Sequence, residues 1–148
     1  MKIRTSLAAA GAAVVLATTG AFMLPAAASA HSAPTTLKFI SVTKGSTMFS
    51  KTSGAQQDTD VNSAGKTVGF DMLYFTAVSA TTGNVNVTVD TTGGFLYGTL
   101  TVNFKTGAIS NGKVTGGTGS FAGATGTIKA KNLNPAGTRT AVTIIYST

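Results

Sequence analysis

Residues 116–126 read Gly-Gly-Thr-Gly-Ser-Phe-Ala-Gly-Ala-Thr-Gly, directly before the alternating run Thr-Ile-Lys-Ala-Lys at 127–131. Glycines at this density either permit positive φ in tight turns or let one backbone lie close against another. The stretch therefore predicts a sharp turn followed by a tightly packed strand, with Gly123 and Gly126 providing the close approach. The structural motif consists of five glycines: Gly116, Gly117, Gly119, Gly123 and Gly126. A phosphate-binding loop is excluded, because neither a lysine of the expected motif nor a helix follows the glycines.

Outward from this stretch, apolar and polar residues alternate with period two from Leu37 onward, and no segment has helical spacing. Turn signals recur every eight to twelve residues or so, which is typical of a β-sandwich or a closed barrel. We favour a single all-β, antiparallel, eight-stranded barrel of calycin-like type, since closure removes exposed strand edges. Seven strands are predicted at 37–42, 67–78, 85–89, 95–104, 109–114, 121–133 and 138–146, and residues 47–49 add an eighth if they form a separate short strand.

Three details of this prediction bear on the function. The run 67–78 is the longest apolar one, and we expect both of its faces to be covered for part of its length. Residues 50–66 are predicted to be a polar loop. In 95–104, Leu96, Leu100 and Val102 share one face with Phe104.

The amino-terminal segment has the pattern of a secretory signal peptide. Lys2 and Arg4 precede the Ala/Val/Leu-rich stretch 5–24, and an Ala-Ser-Ala sequence ends at Ala30. An uncleaved membrane anchor is the alternative, and the modest hydrophobicity of the stretch disfavours it. The predicted organisation is a signal peptide over 1–30 cleaved between Ala30 and His31, a flexible tail over 31–36 and a β-barrel domain over 37–148.

Composition excludes several classes of function. The chain has no cysteine and no glutamate, so thiol chemistry and cysteine-ligated metal sites are ruled out. After residue 30, nine Lys/Arg stand against four Asp, a net charge of +5. The basic residues are dispersed, which suits solubility or weak attraction to anionic surfaces such as cell-wall polymer or lipid headgroups. We expect no nucleic-acid partner, because no clustered basic face is present.

With these residues in view, the chain resembles the allene oxide cyclase and dirigent group of β-barrels, in its bacterial secreted members. The run 116–126 matches a G-G-T-G-x-[F/Y]-x-G-A-x-G signature that precedes two final strands. Residues 65–71 are similar to a G-K-x-V-G-x-D segment that opens a central strand, and residues 98–102 with 107–109 resemble the hairpin that follows. The resemblance covers about residues 37–147.

The resemblance implies an eight-stranded barrel with a lumen for apolar ligands, in which cyclases and dirigent proteins fold a reactive substrate. This chain lacks the cavity glutamate of the cyclases, and it has Phe75 where many bacterial members carry a cysteine. Its only arginine after residue 30 is Arg139, whereas dirigent catalysis is thought to use aspartates with arginine. The resemblance therefore carries over the fold and no catalytic residue.

Asp71 is the candidate for acid–base chemistry, because it lies within the apolar run 67–78. Directed into the lumen, its carboxyl would be desolvated and its pKa raised; the alternative is a structural aspartate paired with Lys66 or a backbone amide. We also name Phe75 and Tyr97 as candidate ligand contacts, with Tyr97 alternatively an aromatic cap on the core. Tyr74 falls on the face opposite Asp71.

Two further patterns suggest metals, and we expect neither to be a metal site. Asp58 and Asp60 form a D-x-D pattern, but no glycine and acidic ligand complete a calcium loop, so a solvated loop is predicted. His31 at a new amino terminus would need a second histidine to hold copper, and the chain has one. No cofactor is expected.

The sequence thus predicts a secreted small barrel that binds an apolar small molecule, with a dirigent-like or isomerase/cyclase-type activity if it is an enzyme. The alternative is a non-catalytic extracellular protein, structural or for cell-surface interaction, with a filled barrel. A cavity of a few hundred Å³ would favour the first. No stable membrane insertion is expected after cleavage, and homo-oligomer formation is left open.

Overall fold

The computed structural model describes residues 32–148, which form eight strands and one short 3-10 turn at Gly119–Phe121. The predicted signal peptide and its cleavage between Ala30 and His31 lie outside these residues. The strands are β1 Thr35–Met48, β2 Ser53–Val61, β3 Thr67–Ala77, β4 Thr82–Thr91, β5 Gly94–Asn103, β6 Ile109–Gly117, β7 Thr125–Asn132 and β8 Arg139–Ser147.

Each strand pairs antiparallel with the next, and β8 pairs with β1 to close the barrel. The closing ladder runs from Thr35 opposite Tyr146 to Val42 opposite Arg139. This confirms the predicted all-β barrel of eight antiparallel strands. Over residues 32–148, no helix is long and apolar enough to cross a membrane.

The two ends of the barrel differ. One end, which we call the mouth, carries the hairpin loops 49–52, 78–81, 104–108 and 133–138. The other, which we call the closed end, carries the connections 62–66, 92–93 and 118–124. The best-buried apolar side chains belong to one cluster that contains Leu96, Ile144 and Phe121.

Phe121 explains how the glycine-rich stretch closes the barrel. The 3-10 turn at 119–121 places this buried ring against the edge of the Tyr146 ring, with centroids 5.4 Å apart. Because the turn lies in the closed-end connection between β6 and β7, its side chain fills the lumen there. The lumen stays open only toward the mouth.

The first two glycines of the stretch lie in a strand and not in the predicted turn. Gly116 and Gly117 are the last residues of β6, where they pair with Tyr97 and Leu96 of β5. The β5–β6 register shifts next to Gly116, whose φ is +149°, and a Cβ there would meet no atom within 4 Å. The placement of Gly116 and Gly117 in the turn is therefore wrong, and Gly116 serves the irregular strand backbone without any close packing.

Three glycines of the stretch, in contrast to Gly116, lie close to a neighbouring backbone. A Cβ on Gly117 would collide with the backbone oxygen of Phe95, and one on Gly119 with that of Gly93. Gly126 fits the predicted close approach in the same way, because a Cβ there would collide with the backbone oxygen of Ile145 on β8. These three positions bring the end of the glycine-rich stretch and the adjacent strands into tight contact at the closed end.

Gly123 does not fit the predicted close approach. A Cβ there would meet no atom within 4 Å, and its φ is +75°. The expectation of a close approach at Gly123 is therefore wrong. Glycine serves at that position because L side chains disfavour the left-handed backbone.

Three further local predictions are corrected. The barrel begins at Thr35, so residues 35 and 36 belong to β1 and not to a flexible tail. Residues 53–61, predicted to lie in a polar loop, form β2 and pair on both sides with β1 and β3. The outer face of β3 is exposed at Phe70 (51%) and Met72 (56%), so the prediction that both faces are covered is wrong. One layer of strands encloses the lumen, so this outer face stays largely exposed.

Candidate functional site

A cavity of about 260 Å³ occupies the lumen between the mouth and the part of the buried apolar cluster that contains Leu96 and Phe121 at the closed end. Most of its wall is apolar, because the inward positions of β4 and β5 carry Val and Leu. The apolar lining is formed by Phe39, Leu73, Phe75, Val85, Val87, Val89, Leu100, Val102, Phe104, Ile109, Ile128, Ala130, Val142 and Ile144.

Polar side chains also reach the cavity. Asn132 of β7 and Thr140 of β8 lie near the mouth, where the Thr140 hydroxyl donates to Asn132 Oδ1 at 3.1 Å. The other polar side chains come from β1, β2 and β3: Ser41, Gln56, Asp58 and Asp71. Alternation along β2 directs Gln56, Asp58 and Asp60 inward together, since residues two apart share a face. The strand register then sets Asp58 opposite Asp71. Ser41 is buried on β1, opposite Asp60. These three strands therefore bring three aspartates into one region of the barrel interior.

Asp58 is the aspartate of this cluster with hydrogen-bond donors. Its Oδ2 accepts from the Ser41 hydroxyl at 2.6 Å and from the Gln56 amide at 2.9 Å. The same Gln56 amide donates to Thr43 Oγ1 at 3.1 Å, which fixes its orientation. One carboxylate oxygen of Asp58 is thus held by two donors, while its Oδ1 has no partner.

Asp71 and Asp60 are buried with less compensation. Asp71 is 5% exposed and its Oδ1 has no hydrogen-bond partner; Asp60 is 1% exposed, and no N–H or hydroxyl group donates to either of its oxygens. Asp71 lines the cavity, whereas Asp60 lies two residues beyond Asp58 along β2, toward the closed end and opposite Gly69. A buried carboxylate without a cation or donors is unstable as an anion, so it tends to take up a proton.

The pKa of both groups is raised accordingly. Burial raises the pKa of Asp60 from 3.8 to about 8, helped by the charge of Asp71, its hydrogen-bonding contact with Asp71 and the charge of Asp58. Burial and the charge of Asp58 raise the pKa of Asp71 to about 6, against the opposing effect of hydrogen bonding with Asp60 and Ser41. Near neutral pH, Asp60 is therefore largely protonated and offers its proton to Asp71.

The residues singled out in the sequence separate into two groups. Asp71 and Phe75 line the cavity, and the Phe75 ring lies edge-on to Phe104 at 6.4 Å, close to the mouth. Tyr97 does not: it is 38% exposed on the outer face of β5, because the neighbouring Leu96 and Gly98 face inward. Its assignment as a lumen contact is wrong.

Asp58 and Asp60 are functional candidates that the sequence analysis did not place at the site. The prediction of a solvated loop is wrong for both, because they are buried inside the barrel. The D-x-D spacing itself is a usable signal, because in a strand it places both carboxylates on the same face. Within residues 32–148, no group of three acidic, histidine or cysteine side chains is arranged to hold a metal ion.

No protein-family model matches the chain, and no curated protein matches it in sequence. Solved structures do match it in fold. A pyocyanin demethylase is 16% identical over 76% of this chain and 99% of its own, with a TM-score of 0.56. An exo-specific intermolecular Diels-Alderase is 12% identical over 78% and 99%, with a TM-score of 0.61. A pterocarpan synthase dirigent protein is 18% identical over 78% and 84%, with a TM-score of 0.59.

At these identities the likeness establishes the fold. The chain has a dirigent-like, allene oxide cyclase-like eight-stranded barrel, as the glycine signature predicts. The described residues combine that barrel with a mostly apolar cavity that has an acidic cluster on one side.

Proposed function

We propose that the protein is a secreted dirigent- or cyclase-type barrel that binds an apolar small molecule in its lumen and positions it against Asp58 and Asp71. The observation that carries the proposal is the 260 Å³ cavity, whose wall is mostly apolar and whose two carboxylates both lie on one side. A dry apolar cavity of about 150 Å³ holds benzene. A bicyclic molecule with one polar substituent therefore matches this lumen in size and chemistry.

The acidic side also suits proton transfer. Asp71, with a pKa raised to about 6, is present in both protonation states near neutral pH, as an acid–base group must be. Asp58 supplies a fixed acceptor beside it. The chain lacks the glutamate of the cyclases, so the proposed reaction uses orientation within the cavity together with an aspartate in place of that glutamate. The Diels-Alderase, demethylase and dirigent barrels support this proposal as proteins of the same fold.

The alternative function, a non-catalytic extracellular structural or cell-surface protein, goes with a filled barrel. An open cavity beside uncompensated carboxylates favours ligand binding instead, because such carboxylates lower the stability of the fold with no benefit to a purely structural barrel. Native mass spectrometry of protein recovered from culture supernatant tests both parts. We expect a chain beginning at His31 and a bound apolar molecule; an intact amino terminus or a ligand-free protein would count against export or binding, respectively.

Filling the lumen is expected to abolish ligand binding. In Val102→Trp the indole would occupy the cavity near the mouth, whereas Thr101→Trp places the same side chain on the outer face of β5. With 2-naphthol as the probe, we expect isothermal titration calorimetry to show at least a tenfold loss for Val102→Trp and less than twofold for Thr101→Trp. Equal affinities in the two variants would move the binding site outside the lumen.

The acidic side is expected to select ligands that donate a hydrogen bond. A hydrogen bond to a charged acceptor is worth about 1.5–3 kcal/mol. We therefore expect 2-naphthol to bind roughly tenfold more tightly than 2-methoxynaphthalene at pH 7 and to lose that advantage by pH 5, as Asp71 becomes protonated. Asp71→Asn should remove the pH dependence. A preference that keeps its size and pH midpoint in Asp71→Asn would exclude Asp71 from ligand contact.

A further inference from the structure

Every hairpin at the mouth presents an exposed large apolar side chain. Soluble proteins expose such side chains singly without consequence, but a contiguous exposed set indicates an interaction surface. We define the mouth ring as Met48 (59% exposed), Phe49 (60%), Val78 (58%), Phe104 (45%) and Leu133 (50%).

Three members of the ring adjoin the opening of the cavity. Phe104 itself lines the cavity, and one surface depression joins it to Met48 and Val78 across three of the hairpins. A second depression joins the 104–108 loop to the 133–138 loop. Phe49 extends the surface by stacking on Tyr74, with ring centroids 6.0 Å apart. Met48, Val78 and Phe104 thus border the route into the lumen, and Phe49 and Leu133 lie on the neighbouring mouth loops.

The charge around this ring is of one sign. Lys51 and Lys105 lie in the mouth loops, and Lys44, Lys131 and Arg139 lie on strand segments leading to them. All are exposed. Of the four aspartates, three are buried inside the barrel, and Asp90 lies on β4 one residue from its closed-end limit at Thr91. Over the described residues, the mouth therefore carries cations and no acidic side chain.

We propose that the mouth docks reversibly on an anionic lipid bilayer, with the mouth ring at the boundary of headgroups and acyl chains and the lysines against lipid phosphates. Apolar groups flanked by Lys and Arg are the combination that binds such interfaces. An anionic polymer would engage the lysines but would offer the exposed rings no apolar phase. In this orientation the cavity opens toward the hydrocarbon, which gives an apolar ligand a route that avoids water. The docking itself does not depend on the proposed function.

Vesicle sedimentation tests the docking, with identically prepared wild-type protein and variants. We expect vesicles of phosphatidylcholine and phosphatidylglycerol (3:1) to bind the protein at least tenfold more tightly than phosphatidylcholine alone, with most of that difference lost in 1 M salt. The double variant Phe49→Ser, Leu133→Ser should bind the anionic vesicles at least tenfold more weakly.

The matched control is the double variant Phe70→Ser, Phe95→Ser, which removes two exposed rings from the outer wall. It should bind within twofold of wild type, and this comparison separates the mouth from general adhesiveness and from any contribution of the amino-terminal segment. Equal losses in the two double variants, or unchanged binding in both, would overturn the proposal. So would equal competition by soluble poly(glycerol phosphate), which would identify the partner as an anionic polymer.

Depth can be measured separately, because the chain contains no tryptophan. In Phe104→Trp the indole fluorescence should shift to the blue on anionic vesicles and be quenched by brominated acyl chains. In Phe95→Trp it should respond to neither. Quenching of both indoles, or of the outer-wall indole alone, would contradict docking through the mouth.

Discussion

Asp60→Asn is expected to raise the melting temperature by more than about 10 °C at pH 8 and to change it little at pH 4. Asp60 is 1% exposed, no N–H or hydroxyl group donates to either of its carboxylate oxygens, and its pKa is raised from 3.8 to about 8. Between those two pH values the folded state binds a proton that the unfolded state releases. Stability of the wild type therefore falls as the pH rises through this window.

The size of the effect follows from the width of the window. Each unit by which the folded-state pKa exceeds the unfolded-state pKa corresponds to about 1.36 kcal/mol. Near pH 8 the carboxyl therefore lowers the free energy of unfolding by on the order of 5 kcal/mol relative to pH 4. Asparagine has nearly the same shape and retains a donor for Asp71, but it carries no charge to desolvate. For a domain of this size, 1 kcal/mol corresponds to roughly 4 °C.

The measurement is thermal unfolding followed by circular dichroism between pH 4 and 9. Asp90→Asn is the control, because it makes the same change on the exposed outer face of β4, where a surface substitution should alter the free energy of unfolding by less than about 0.5 kcal/mol. Asp71, with a pKa of about 6, adds a smaller decline between about pH 4 and 6 that Asp60→Asn should not remove. If the Asp60→Asn curve runs parallel to that of wild type, then Asp60 titrates as an ordinary exposed carboxylate and water reaches it.

The cost of these carboxyls bears on function. Buried polar groups that lower stability persist where they serve a site. Asp58 and Asp71 line the cavity, and Asp60 is buried beside them on the closed-end side. The buried carboxyls that lower the stability of the fold therefore adjoin the surface that a ligand would contact. A ligand that donates a hydrogen bond to the free Oδ1 atoms would remove part of that cost, coupling binding to stability.

Alternation of apolar and polar residues was sufficient to predict β4 and β5. Val85, Val87 and Val89 line one face of β4, and Leu96 and Leu100 one face of β5, as their spacing indicates. The same parity places Tyr97 on the outer face, and its aromatic residue type carries no information about which face of the strand it occupies.

The acidic half of the site could not be found in that way. The inward positions of β2 are Gly54, Gln56, Asp58 and Asp60, so neither face of the strand is distinctly apolar and the period-two signal vanishes. Backbone ladders to β1 and β3 hold β2 in the barrel. A strand that is held by pairing with its neighbours, and not by its own apolar face, cannot be predicted from its local sequence alone.

The glycine-rich stretch was interpretable as a whole and not position by position. Its density indicated a turn and a close approach, and both are present, at Gly119 and Gly126. Composition alone cannot tell which glycine serves which purpose, because Gly116 in a strand and Gly123 in a loop both have open space where a Cβ would be. That distinction depends on the β5–β6 and β7–β8 registers, which are long-range pairings.

Gly126→Ala is expected to destabilise the barrel by about 3 kcal/mol or more, the upper part of the range for overpacked sites. A Cβ at this position would collide with the backbone oxygen of Ile145 and lie 2.8 Å from the Cα of Tyr146. Both atoms belong to the backbone of β8, so no side-chain rotation relieves the contact. On its other side β7 pairs with β6 through only three register positions, which leaves little else to hold it in place.

The contrast with Gly45→Ala isolates the steric cause. Gly45 lies at the irregular step of the β1–β2 ladder, and a Cβ there would meet no atom within 4 Å. Urea denaturation should therefore give Gly45→Ala a free energy of unfolding within about 0.5 kcal/mol of wild type, the usual range for surface substitutions, against the loss of about 3 kcal/mol for Gly126→Ala. Since β7 separates only by breaking the closed ring, the damaged variant should also expose the lumen and lose 2-naphthol binding. A Gly126→Ala protein with wild-type stability would mean that β8 moves aside at little cost, and that the β7–β8 pairing does not require the close approach at Gly126.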